Sequence, residues 1–249
     1  MSETDKQLKH RTVFVTGAAA GIGRAIALKF AREGWDVLCH YHSSAEGARS
    51  LKKEITELGR SCDLLQADLS SKKSLHRLLG KLGEFRIDSL VNNAGSYSAS
   101  RFFPELTLDE LASAFAVNTF APILIASRLF LTMKEQGFGR IVNISSIAAK
   151  YGGSAQSLHY GCSKRALEGL TKTLAREGAA HNILVNTLRP GVIDTDFHRK
   201  FPKDMKKRIA MVPAKKMGRP EDVAELVHYL GSEKNVFITN ETIAISGGE

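Results

Sequence analysis

The sequence predicts an α/β fold: a doubly wound parallel sheet of about seven strands with helices on both faces. Three observations carry that reading. Short apolar runs alternate with amphipathic stretches long enough to be crossover helices. The first run leads into a glycine-rich loop that opens a helix. Polar residues then follow strand after strand, as they do where ligands gather at the carboxyl edge of such a sheet. With 249 residues, 43% of them hydrophobic, the chain can bury one sizeable core, so residues 1–249 are read as a single domain.

Taken in order, residues 12–16 (Thr-Val-Phe-Val-Thr) are the first expected strand, followed by Gly17-Ala18-Ala19-Ala20-Gly21-Ile22-Gly23. Behind this loop Ile22, Ala25, Ile26 and Phe30 recur at helical spacing, so the loop ends at a helix N-terminus whose amides and dipole suit a pyrophosphate. A structural glycine turn is the plainer alternative. Further strands are expected at 36–41, 63–66, 89–92, 140–145, 184–188 and 241–245, with helices at 46–58, 72–82, 108–135 and 160–180. Asp68, Asn92, Ser146 and Pro190-Gly191 all follow expected strands and converge on one edge.

The chemistry is concentrated in Tyr160-Gly161-Cys162-Ser163-Lys164, with Ser146 fourteen residues before the tyrosine. On a helix Tyr160 and Lys164 share a face. A tyrosine with a pKa of about 10 is a poor proton carrier at neutral pH, and a fixed ammonium nearby is expected to lower that value by favouring the phenolate. Taken alone, the pair also suits an ordinary solvated helix face. Asn118, in a long apolar helical pattern, needs hydrogen-bond partners wherever it is buried.

Together these residues resemble the short-chain dehydrogenase/reductase family over nearly the whole chain. The resemblance rests on Thr16 through Gly23, Asp68, Asn92-Asn93-Ala94-Gly95, Asn118, Ser146, Tyr160 with Lys164, and Pro190-Gly191 through Thr195. Met217 through Ala224 also matches the family's late helix start, with Pro220 in the opening turn and carboxylates near the positive helix end. It implies a Rossmann fold and hydride transfer between a nicotinamide and a carbonyl or secondary alcohol. In that scheme Tyr160 is the acid or base, Lys164 holds the ribose and lowers the tyrosine pKa, Ser146 bonds the substrate oxygen, and Asn118 holds a water on the proton path. The family's cofactor contacts fall on Gly17, Ala19, Ala20, Gly21, Ile22, Gly23, Tyr41, His42, Ser43, Asp68, Leu69, Asn93, Ala94, Gly95, Tyr160, Lys164, Pro190, Gly191, Ile193 and Thr195. The serine-to-tyrosine interval is one residue longer than the family's usual spacing. That places an insertion in 150–159 and makes Ser145 an alternative to Ser146. Alternation along a strand sends the two hydroxyls to opposite faces, and Ser146 is favoured.

Cofactor preference turns on the second strand, where an acid would repel a 2′-phosphate. Tyr41 stands at that place, followed by His42, Ser43 and Ser44. With no carboxylate, and with His40 and His42 as donors, NADP(H) is favoured over NAD(H), although Ala20 lacks the basic side chain of many NADP-binding relatives. The net charge is +9, yet residues 197–219 contain nine Lys or Arg against Asp204 alone. The family places its substrate lid at about 194–218, so this field suits an anionic or thioester-linked carbonyl substrate. A solvated basic face is the plainer reading. No nucleic-acid motif accompanies the charge.

The nearest flavour of resemblance is to 3-oxoacyl-thioester reductases. Two positions that often carry arginine in the carrier-protein-dependent ones fall on Gly137 and His181. A sugar, polyol or small-ketone reductase is the alternative within the family, and a non-catalytic dinucleotide-binding sensor the alternative outside it. Three cysteines without metal spacing argue against a zinc site or disulfide framework, and Cys39 reads as core packing. Residues 1–10 lack the apolar core of a signal peptide, and no apolar run is read as reaching membrane-spanning length. A cytoplasmic homo-oligomer, expected to be a tetramer, without metal, nucleic acid or membrane partner completes the reading.

Overall fold

The computed structural model describes residues 10–97, 101–196 and 204–249. Seven parallel strands form one sheet in the order β3-β2-β1-β4-β5-β6-β7. They are β1 (Thr12–Val15), β2 (Asp36–Tyr41), β3 (Cys62–Gln66), β4 (Ser89–Asn92), β5 (Gly139–Ile144), β6 (Ile183–Pro190) and β7 (Thr242–Ile245). Every expected strand is present, with ends displaced by at most two residues. The order reverses between β1 and β4, and in such a sheet that switch point opens a crevice at the carboxyl ends.

The crossover helices are α1 (Gly21–Arg32), α2 (Ala45–Glu57), α3 (Lys72–Lys81), α4 (Leu108–Phe115), α5 (Ala121–Gln136), the short α6 (Ala148–Tyr151), α7 (Leu158–Ala179), α8 (Met205–Met211) and α9 (Pro220–Gly231). One apolar layer packs α1 and α9 against the sheet around Phe30, whose ring meets Trp35 and His228 edge-on at 5.2 and 4.9 Å. The opposite layer holds Phe14, Leu38, Leu90, Ile125 and Met133. Each such fully buried side chain contributes roughly 1.5–3 kcal/mol. Cys39 and Cys62 lie on neighbouring strands within these layers as free thiols 3.6 Å apart.

Two expectations are corrected here. Residues 108–135 were expected as one regular helix, but α4 and α5 are joined by a π-helical turn, Ala116–Phe120. Pro122 has no N–H to offer the carbonyl of Asn118 four residues back, and a widened turn lets the helix continue past it. The merged stretch Leu108–Gln136 is 29 residues long and contains an 18-residue window with a mean hydropathy of 1.6, so one helix does reach spanning length by composition. Ala121, Ile125, Leu129 and Met133 nevertheless face the core, and the stretch is a crossover helix of this sheet.

Candidate active site

The glycine loop is built as an anion cradle. Gly17 and Gly21 adopt left-handed backbone, φ 66° and 53°, which side chains rarely tolerate. A Cβ on Gly23 would lie 2.2 Å from the Gly17 carbonyl oxygen, so only glycine lets α1 begin this close to the loop. α1 opens at Ala20 with no side-chain cap and no acid in its first turn, leaving its amides to a ligand. These residues fit a dinucleotide phosphate.

The loop is held from behind. The Asn93 amide donates to the carbonyls of Thr16 (2.9 Å) and Gly17 (3.1 Å), and Ala94 N–H donates to Thr16 Oγ1 (3.0 Å). Asn93 thus secures the loop through its side chain. The Gly17 amide donates to His40 Nδ1 (3.1 Å), so Nε2 carries the proton and donates to Ala67 O (3.0 Å). Burial pushes the His40 pKa down to about 4 and keeps the ring neutral. This corrects the expectation that His40 would serve a 2′-phosphate: both ring nitrogens are engaged at the loop. Its signal was a histidine inside a fully buried strand, where an imidazole must find two partners.

Tyr41 is half-buried, and His42, Ser43 and Ser44 are exposed at the end of β2, where α2 also begins without a side-chain cap. Asp68 accepts from the Ser70 amide (2.9 Å) and hydroxyl (2.6 Å), which hold its carboxyl below its ordinary range. Leu69 beside it is buried. Thr195 reaches the loop from the far side, its Cγ2 3.4 Å from where a Cβ on Gly21 would stand. Ile193 is buried and bridges Gly218, while Pro190 accepts from the Ile147 amide (2.9 Å). The half-buried Gly191 has its Cα against Ser246 and Glu249.

β5, β6 and α7 assemble the reacting end. Ser145 follows the strand rather than closing it, yet its amide still donates to Leu188 O (2.7 Å), so the alternation carries through. The Ser145 hydroxyl is buried, donating to Glu168 Oε1 (2.8 Å), while the Ser146 hydroxyl stands close enough to the Tyr160 hydroxyl to act on its pKa. Ser146 is therefore the serine on the cleft. Glu168 in turn pairs with Arg189 through bonds of 2.7 and 2.6 Å, tying α7 to the strand that ends at Pro190.

The tyrosine pKa is the main correction. Burial holds Tyr160 above its ordinary value, and the neighbouring Ser146 hydroxyl only partly opposes this. Lys164 directs its Nζ to Ile144 O (2.8 Å), and burial pushes its own pKa down to about 8. Asn118 is fully buried, with Nδ2 donating to Ser96 O (2.9 Å) and Ser163 Oγ (3.0 Å) and Oδ1 accepting from Ser96 N (2.8 Å). Both amide hydrogens are taken, so a water could use only the remaining lone pair of Oδ1. A Cβ on Gly95 would sit 3.2 Å from Lys164 Nζ and 3.4 Å from that oxygen, so glycine keeps the two groups open to each other. Residues 197–203 of the expected lid lie outside the described residues. The segment resumes at α8, capped by Asp204.

The sequence profile described as enoyl-(acyl carrier protein) reductase matches residues 17–249. A 3-oxoacyl-[acyl-carrier-protein] reductase of Aquifex aeolicus is 34% identical over 246 residues, covering 97% of this chain and 98% of that protein. An acetoacetyl-CoA reductase of Rhizobium meliloti is 34% identical over 245 residues, 96% and 98% of the two chains. A blue fluorescent protein from a metagenomic library, crystallised with NADPH, superposes with a TM-score of 0.89 at 32% identity, covering 98% of this chain and 99% of its own. The chain belongs to the short-chain dehydrogenase/reductase family, as a nicotinamide-dependent oxidoreductase of a carbonyl/alcohol pair.

Proposed function

We propose that the chain is an NADP(H)-dependent carbonyl reductase acting on a 3-oxoacyl thioester. The observation that carries this is the pair of neighbouring hydroxyls, Ser146 and Tyr160, at the crevice, with Lys164 and Asn118 behind it. When bound, the nicotinamide supplies the hydride. The burial that raises the Tyr160 pKa keeps the phenol protonated, which is the form needed to give a proton to a carbonyl oxygen as the alcohol forms. Ser146 steadies the charge that gathers on that oxygen. Lys164, whose pKa is lowered to about 8 and whose amine is therefore mostly protonated at neutral pH, is the group that holds the ribose and returns a proton toward Tyr160.

NADP(H) is supported by the absence of any carboxylate from Tyr41 to Ser44, by the uncapped start of α2 and by the bound NADPH of the similar protein above. The thioester class is supported by the named activities of the two curated relatives and by Lys206, Lys207 and Lys216, exposed cations beside the crevice. Gly137 ends α5 in left-handed backbone, φ 65°, so an arginine there would be strained. Contact with a carrier must use other cations. Leu108, Phe120, Leu124 and Leu131 are exposed along α4, the π turn and α5, which supports a homo-oligomer, read as a tetramer. The free thiols of Cys39 and Cys62 suit a reducing cytoplasm.

The test is NADPH and NADH oxidation with acetoacetyl-CoA, an α-diketone and a ketose, for the native chain and Tyr160→Phe. Preferred turnover of acetoacetyl-CoA with NADPH is expected, with a loss on the order of 10³-fold in Tyr160→Phe and unchanged NADPH binding. Equal use of NADH, or no turnover of any carbonyl, would refute the reading.

A further inference from the structure

The last residues of the chain curl back under α8. Gly247 and Gly248 are left-handed, φ 64° and 101°. They are also tightly packed: a Cβ on Gly247 would meet Val212 at 2.9 Å, and one on Gly248 would meet Pro213 at 3.0 Å. The Gly247 carbonyl accepts from Ala214 N–H (3.0 Å), and Ser246 Oγ donates to Glu249 O (3.2 Å). This double turn delivers the Glu249 side chain to a place between two functional segments. On one side its Oε2 lies 3.2 Å from where a Cβ on Gly191 would stand. On the other its Oε1 is 2.6 Å from Arg208 Nη1 on α8, a charge contact whose angle falls short of a hydrogen bond. Only 10% of the Glu249 side chain is exposed, and Oε2 has no hydrogen-bond partner. Burying a carboxylate oxygen in this way is costly, and the Arg208 charge offsets that cost only while α8 stays in place.

We propose that Glu249 is a positioning residue for the substrate: through Arg208 it fixes the basic helix α8 against the Pro190-Gly191 turn and so sets substrate affinity without entering the chemistry. Side chains at residues 191 and 247 would displace this tail, which gives both glycines a part in seating it. The inference rests on the carbonyl-reductase reading for its kinetic consequence and on geometry alone for its mechanical one. Tightening and loosening of α8 therefore have two separate readouts.

The experiment uses the full chain with Glu249→Gln, Arg208→Gln and the exchanged pair Arg208→Glu with Glu249→Arg. Acetoacetyl-CoA and NADPH serve as probes for kinetics, and limited trypsin digestion reports on cleavage after Lys206 and Lys207. Each single variant is expected to raise KM for the thioester about five-fold with kcat and NADPH affinity unchanged, and to speed cleavage by a similar factor. The exchanged pair should restore both toward native values, a recovery that a merely structural defect would not show. Unchanged KM and cleavage in Glu249→Gln, or kcat and KM failing together with no recovery in the exchanged pair, would overturn the proposal. If the native chain reduces no carbonyl, the functional reading fails by itself. Cleavage then decides the clamp, faster digestion supporting it and unchanged digestion ending it.

Discussion

The two sides of the crevice are held by different kinds of force. On the cofactor side the glycine loop is pinned by partly buried hydrogen bonds, donated by Asn93 and accepted by His40 and Thr16, all within the sheet and its nearest turns. On the other side α8 is positioned by few contacts, among them the charge contact of Arg208 with the largely buried Glu249 and the exposed Lys215 ammonium on Ala210 O (2.6 Å). Several aligned hydrogen bonds give a single geometry at a high cost of disturbance, while a charge contact without hydrogen-bond alignment tolerates small displacements of its helix. The difference teaches that cofactor affinity and substrate affinity should fail separately, under different insults.

The largest expected break is on the cofactor side. Gly23→Ala places a methyl group where the Gly17 carbonyl stands, and overpacking of this kind costs about 1–3 kcal/mol. A lower Tm and NADPH affinity weakened by about ten-fold or more are expected, read by thermal melting and fluorescence titration. Native affinity would show that the loop is softer than its bonding indicates.

Acid should reach the same side by another route. The His40 pKa falls from an ordinary 6.5 to about 4, so the unfolded chain binds more protons than the folded one between those values. The stabilisation is complete above about pH 6.5 and is lost as pH falls toward 4, in total about 3 kcal/mol at 1.36 kcal/mol per unit. His159 and His228, also depressed by burial, add to the same trend. Denaturant melts of the native chain and His40→Gln isolate the share of this ring. The variant should be less stable at pH 7 and should show a shallower acid limb. An unaltered acid limb would remove the loop latch.

The smallest effect is expected on the substrate side. Reversing Lys206 and Lys207 to Glu should raise KM for acetoacetyl-CoA by about five-fold at low ionic strength and by much less at high salt. NADPH affinity should not move. Arg208 is left intact here because it is paired with Glu249. A loss that ignores salt would mean that the lysines act by packing and not by their field.

The fold was legible because strands such as Asp36–Tyr41 and Ser89–Asn92 are apolar runs bounded by turns, and hydrophobic period is a local property. Ser146, Tyr160, Lys164 and Asn118 were legible through their order and spacing. Their electrostatics were not. Whether Lys164 lowers the Tyr160 pKa depends on where its amine goes, and the Ile144 carbonyl that takes it belongs to another element. The π turn escaped notice because counting apolar residues cannot register one wide turn. His40 was visible as a residue, but only the pairing of β2 beside β1 brings it under Gly17. Glu249 carries no local signal at all.

The stretch between Ser146 and Tyr160 has a consequence of its own. After α6 the chain passes Gly152 and Gly153, φ 76° and 88°, and a Ser154–Ser157 turn before α7 begins. Both ends of this connection are fastened independently, one by Ser145 to Glu168 and the other by Gly161 packed against Gly152 and Gly153. Its tip is held as well, Ala155 O accepting from Phe103 N–H (2.8 Å) and Gln156 O from Arg101 N–H (3.1 Å), and the serine still stands beside the tyrosine. Exposed side chains at the tip can therefore be altered to reshape the rim of the crevice while Ser146 and Tyr160 keep their separation.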